Sequence, residues 1–198
     1  MKSGEFDKVA REAFADALHD AGFTARDSKL CTFHRKLSAD IWHLIMPDPG
    51  TSGSWYDVKV FATSPRIEPL FDELFPDALG IPADVACYLH PEKGITQRQH
   101  QYHCRTPEGF RRNFDQLVRP ALKAAAIPYL DGIDSLEALV PYIRNKLYLG
   151  IALHEIGQKE AARPVLLAEK ARLEAIGGKD RADRKVVAFL DRLKALTT

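Results

Sequence analysis

Apolar and polar positions alternate most clearly between Leu30 and Thr63, and the fold is expected to centre there. In LCTFHRKL, residues 30–37, Cys31, Phe33 and Leu37 share one face with Arg35 among them, and Thr32, His34 and Lys36 share the other. A period of two is the mark of a half-buried strand. Asp40 to Met46 alternates again, with Trp42, Leu44 and Met46 opposite Ile41, His43 and Ile45. Both faces are largely apolar, which predicts a central strand. Ser38-Ala39-Asp40 is short enough to close a hairpin between the two. Pro47 to Ser54 has turn and loop composition throughout. The chain returns as WYDVKVFAT, Trp55 to Thr63, where Asp57 and Lys59 predict a face that is wet at its start.

Helical periodicity flanks this meander. Phe6, Val9, Ala10, Ala13, Phe14, Ala17, Leu18 and Ala21 recur at three- and four-residue spacing, predicting an amphipathic helix over 5–21. Ser3 is placed as its N-cap and Gly22 as its left-handed terminator. Thr24 to Lys29 reads as a polar connection. Ser64 to Pro82 holds four prolines, so no long helix is expected there. Ala83 to His90 reads as a fourth strand ended by Pro91, and Glu92 to Arg105 as polar and irregular. Thr106-Pro107-Glu108 is a strong helix start. Pro120 should kink or break the helix that follows. Asp134 or Ser135 caps a shorter helix, Leu147–Ile156 and Glu160–Ile176 form a helical hairpin around Gly157, and a last helix is expected from about Asp183 to Leu196.

Helix, strands and then a run of helices predict an α+β fold: an antiparallel sheet of about four strands covered by the N-terminal helix, followed by a C-terminal helical region. The expected division is a sheet domain over 1–105 and a helical region over 106–198. At 198 residues the chain can bury a real core. No apolar run approaches the ~20 residues that span a bilayer, and no secretory signal is evident. Three widely spaced cysteines, Cys31, Cys87 and Cys104, suit a reducing compartment, so the expected location is the cytoplasm.

Net charge is +1, but it is unevenly spread. Residues 1–90 carry nine Lys+Arg against fourteen Asp+Glu, whereas residues 91–198 carry nineteen against thirteen. Such a split arises when an acidic half packs on a basic one, when a basic surface meets an acidic partner, or when solvated helix faces merely differ. The basic excess is densest over 91–123, through Arg98, Arg105, Arg111, Arg112, Arg119 and Lys123. Arginine suits carboxylate or phosphate recognition. The near-neutral total argues against nucleic acid as the partner.

The sequence carries none of the standard catalytic signatures. There is no phosphate-binding glycine loop and no dinucleotide fingerprint, and His154-Glu155 lacks the second histidine of a zinc helix. Gly50-Thr51-Ser52-Gly53-Ser54 resembles a nucleophile elbow but lacks the final glycine and sits between strands. His90, His100, His103 and Cys104 carry zinc's donor types, yet their spacing matches no finger or ribbon. They read as a solvated loop, and neither metal nor cofactor is expected.

Two resemblances add to this. The opening amphipathic helix, Gly22-Phe23, Phe33-His34-Arg35 and two apolar strands resemble an uncharacterised bacterial family known only as a domain of unknown function. That resemblance implies an α+β fold in a small bacterial protein and carries no catalytic residues. Some small α+β proteins of this general kind are similar to immunity proteins that sit beside bacterial toxins. Nearer the C-terminus, Leu149-Gly150, Leu153, Gly157, Ala162 and Leu166 resemble one tetratricopeptide repeat, with Glu169 and Pro164 departing from its pattern. One copy implies a capping hairpin and not a superhelix.

The leading expectation is a non-enzymatic bacterial module that binds another protein bearing an acidic surface, immunity-type in its most specific form. Its contact residues are expected to be Arg105, Arg111, Arg112, Arg119 and Lys123, with Trp55 beside the Pro47–Ser54 loop. The alternative is an enzyme or small-ligand domain whose site assembles only in the fold, near His100, His103 and Arg105.

Overall fold

The computed structural model of the chain describes residues 1–26, 31–67 and 87–177. By contacts the chain divides into two units, Met1–Thr63 with Ala86–Asp134, and Ser64–Val85 with Ser135–Thr198.

The first unit opens with helix α1, Ser3–Leu18. Ser3 is its first helical residue and Lys2 holds the cap position without a side-chain hydrogen bond. A tighter turn over His19–Ala21 leads to Gly22, whose φ of +78° supplies the left-handed stop. Strands follow at Thr24–Ala25 (β1), Phe33–Lys36 (β2), Trp42–Pro49 (β3), Trp55–Thr63 (β4), Cys87–His90 (β5), Gly94–Thr96 (β6) and Tyr102–His103 (β7). All pairings are antiparallel, in the order β1-β2-β3-β4-β5-β6. One edge of β4 is shared, with Lys59 and Val60 pairing to β5 and Trp55 and Tyr56 to β7.

The sheet therefore has seven strands among the described residues, and the expectation of about four is corrected. The additions, β1, β6 and β7, are two or three residues long, too short to show a period. The polar stretches assigned to loops, Thr24–Lys29 and Glu92–Arg105, contain them. A second correction concerns β3, which continues through Pro47 to Pro49 where a loop was expected. Proline cannot donate to a ladder. Among the described residues β2 pairs with β3 only as far as Ile45, so no described strand calls on the missing N–H groups of Pro47 and Pro49 from that side.

Antiparallel partners share a face, which sets the two surfaces of the sheet. Phe33, Ile45, Tyr56, Val58, Val60 and Leu89 lie on one face and are fully buried. Phe14 of α1 stacks on Phe33 at 5.9 Å between ring centroids, and Phe6 sits 5.6 Å from Tyr56. The other face buries Leu44, Met46 and Phe61 and also Asp57, only 1% exposed, where a wet strand was expected.

Helix α2 completes the unit, running from Pro107 to Asp131. Thr106 Oγ1 accepts from the Gly109 N–H at 3.1 Å, as its capping position predicts. Phe110 and Phe114 meet Phe6, Phe14 and Tyr56. Pro120 neither breaks nor stops the helix. The turns over Phe114–Val118 and again over Leu122–Ala126 widen, so Arg119 N–H donates to Phe114 O and Ile127 N–H to Leu122 O. Each widened stretch ends just before a proline, Pro120 or Pro128. Widening by one residue moves the carbonyl that the ring would strike.

The second unit has a short helix, α3, over Leu136–Leu139, capped by Ser135, whose Oγ accepts from Ala138 N–H at 3.2 Å. Helices α4, Lys146–Glu155, and α5, Lys159–Gly177, form the expected hairpin around Gly157, whose φ is +81°. Gly150 lets them approach closely: a Cβ there would lie 2.5 Å from Leu166 Cδ2. Tyr148 Oη accepts from the Ser64 N–H at 3.1 Å, and Arg66 pairs with Glu155. The Ala83–Ala86 part of the predicted fourth strand, most of the Ser64–Pro82 stretch and the helix expected over Asp183–Leu196 lie outside the described residues. Among the described residues no helix is long and apolar enough to cross a membrane.

Candidate functional site

Acidic residues at four-residue spacing on α1 stand against basic residues on α2. Glu12, Asp16 and Asp20 follow one another on the polar side of α1 and the turn that extends it. In α2 the corresponding row is Arg111, Asp115, Arg119, Lys123, Ile127 and Asp131. On ordinary 3.6-residue turns such a row drifts by about 40° per step and winds away from its neighbour. The two widened stretches oppose that drift. Arg119, Lys123, Ile127 and Asp131 accordingly line a single cleft with Asp16, Asp20 and Arg35. Its volume is about 640 Å³ and it is open to solvent.

Two rungs between the rows are closed. Arg111 Nη2 meets Glu12 Oε2 at 3.0 Å, and Arg119 Nη1 meets Asp16 Oδ2 at 2.7 Å while its Nε donates to Asp115 at 3.0 Å. Arg119 also lies over the Phe114 ring, and its carboxylate partners hold its pKa above the usual arginine value. The third rung is open. Lys123 is exposed and has no ion-pair partner among the described residues, and Asp20 meets only the neighbouring His19.

Arg35 forms the floor of the cleft. Its Nη1 donates to Ala21 O at 3.0 Å, and its Nη2 to His43 Nδ1 at 2.9 Å and Asp131 Oδ1 at 2.5 Å. The guanidinium also stacks 4.8 Å from the centroid of Phe23. His43 is fully buried, and its Nε2–H donates to Ile133 O at 2.8 Å. The two bonds together fix the neutral tautomer with the proton on Nε2. Burial chiefly, and the Arg35 charge in addition, hold the His43 pKa below its usual value against the pull of that carbonyl. The network makes Arg35 a rigid, pre-oriented cation with Asp131 exposed beside it.

Of the residues singled out in the sequence, Arg119 and Lys123 therefore line the cleft and Arg111 closes the first rung. Arg105 and Arg112 are exposed, without ion-pair partners among the described residues. Trp55 is half-buried, packs against Gly50 and lines a separate cleft of about 340 Å³ with Met1, Phe6 and Pro49. His90 and His100 do meet, with ring centroids 4.4 Å apart. His90 Nδ1 accepts from the Glu92 and Lys93 N–H groups and so closes a turn. His100 is held below its usual pKa by burial and by the two neighbouring histidines. The Cys104 thiol is buried, which pushes its pKa up to about 11. No group of three His, Cys, Asp or Glu among the described residues is arranged to hold a metal ion.

Asp16, Asp20, Arg35 and Asp131 were not singled out. For Arg35 a signal existed: it is the one charged residue in the alternating set Cys31, Phe33, Leu37, of which Cys31 and Phe33 are buried and Leu37 is exposed. A buried strand face does not carry arginine without a partner, and His43 was the polar residue on the next strand's inward face. Asp131 is distant in sequence and reads as a cap.

Comparison with protein-family models, with curated proteins and with solved structures found no match to this chain.

Proposed function

We propose that the protein is a non-enzymatic binding module and that the cleft between α1 and α2 is where another protein docks. The observation that carries this reading is the open rung. In the same row, Arg111 and Arg119 are neutralised from within, while Lys123 stands exposed and, among the described residues, unpaired at a cleft whose floor, Arg35, is held by Asp131. The lining is charged and open, unlike the mostly apolar, enclosing pockets that hold small molecules. Charged groups so placed favour fast, selective association more than raw affinity. The closed rungs resist little, since exposed ion pairs are worth at most about 1 kcal/mol and exchange partners readily. An immunity-type role is the special case in which the captured protein is a toxin.

The test is capture from native lysate of the source cells with tagged wild type and with Lys123→Glu, read by quantitative mass spectrometry. A stoichiometric protein whose retention falls about tenfold in the variant, with Tm held within about 2 °C, is the expected result. Retention indifferent to Lys123 would overturn the reading.

A further inference from the structure

We infer that the partner presents a cation and an anion side by side to this cleft, a Lys or Arg next to an Asp or Glu, and not a uniformly acidic surface. The inference rests on the reading of the cleft as the docking place and specifies its chemistry. The cleft is lined by Arg35, Arg119 and Lys123 but equally by Asp16, Asp20 and Asp131. Asp131 keeps half its side-chain surface exposed although it pairs with Arg35. A purely acidic partner drawn to Lys123 would bring its carboxylates against those three aspartates. Like charges placed opposite one another oppose association.

The ladder supplies a pattern for the match. Its first two rungs each join an acid of α1 to a base of α2. At the third position the acid and the base are both present, Asp20 and Lys123, and both line the cleft without meeting. An occupant carrying one charge of each sign completes the rung, its cation on Asp20 and its anion on Lys123. A base and an acid at i and i+4 of a helix, or at i and i+2 of an extended segment, present such a pair on one face.

Four proteins decide the matter in the capture assay: wild type, Lys123→Glu, Asp20→Lys, and Arg163→Glu as an exposed control. The neutral variants Asp20→Asn and Lys123→Met are added in case a reversal lowers Tm. The expected result is that both cleft reversals reduce retention of the same protein about tenfold, while Arg163→Glu leaves it unchanged. If Lys123→Glu weakens capture but Asp20→Lys leaves or improves it, the partner is simply acidic; the inference falls and the docking reading stands. If only Asp20→Lys weakens it, retention does not depend on Lys123, and the inference and the docking reading fall together. If neither matters, or wild type retains nothing beyond the control, inference and docking reading fall together.

Discussion

Replacing Asp57 by asparagine should stabilise the protein at neutral pH. Asp57 sits on β4, 1% exposed, opposite Asp48 in the β3–β4 ladder. Its Oδ2 accepts from Gln99 Nε2 at 2.5 Å, and its Oδ1 is buried without a partner among the described residues. Lys59 forms its ion pair with Asp48 instead. Burial pushes the carboxyl from 3.8 up to about 6, against the opposing pull of the Gln99 bond and the Lys59 charge. The folded state therefore binds this proton more tightly than the unfolded chain does. Ionisation of Asp57 costs stability as pH rises from about 4 to about 6, and the full cost is present above that window. A pKa displaced from 3.8 to about 6 corresponds to about 3 kcal/mol at pH 7, falling to roughly 0.5 kcal/mol at pH 4. Asp57→Asn removes the charge and keeps an oxygen for Gln99. It leaves an amide N–H in place of the orphaned oxygen, which returns ~1 kcal/mol or more. The expected net gain is about 1–2 kcal/mol at pH 7.5, or roughly 2–8 °C in Tm, and close to none at pH 4. Urea unfolding of wild type and variant at the two pH values measures it. A variant no more stable than wild type at pH 7.5, or one equally favoured at pH 4, would refute the reasoning.

Other outcomes follow from the same geometry. Arg35→Met leaves His43 Nδ1 and the Ala21 carbonyl without their donor and should cost about 2–4 kcal/mol in urea unfolding; a loss below 0.5 kcal/mol, on the order of a surface substitution, would contradict the network. His43 is held neutral, so its share of stability is present above the unfolded histidine pKa and is lost as pH falls below it. His43→Gln keeps a donor for Ile133 O, and its Tm should fall less than that of wild type between pH 7 and pH 5; parallel pH profiles would argue against a buried neutral histidine. Gly150→Ala places a methyl against Leu166 and should cost about 1–3 kcal/mol, and an unchanged Tm would show that α4 and α5 are less tightly packed than described.

The long elements were legible because periodicity needs length. The nine-residue strand Trp55–Thr63 stands where its alternation put it, and Thr106, Ser135 and Gly157 act at the helix ends their chemistry marks. The two- and three-residue strands could not be read, since pairing to a neighbour defines them and not their own composition. Pro47, Pro49 and Pro120 misled for a related reason. Local rules forbid proline where its missing N–H is needed, and only the fold reveals that β3 lacks a described partner on its β2 side there and that α2 widens. Asp57 misled because an acid on a strand is ordinarily solvated. The basic row on α2 was visible in sequence, but the acids that neutralise part of it, and leave Lys123 open, sit about a hundred residues away on α1. Arg35 was the clearest overlooked sign, a charge on an otherwise apolar strand face.

Photo-cross-linking reports on the cleft without removing any of its charges. Ile127 lines it between Lys123 and Asp131, and Gln101 is exposed on the loop before β7. Each is replaced in turn by p-benzoylphenylalanine, and the full-length protein is irradiated in native lysate of the source cells. A protein covalently joined from position 127 and absent from position 101 is the expected result. Cross-links of equal yield from both positions, or from position 101 alone, would contradict docking in the cleft.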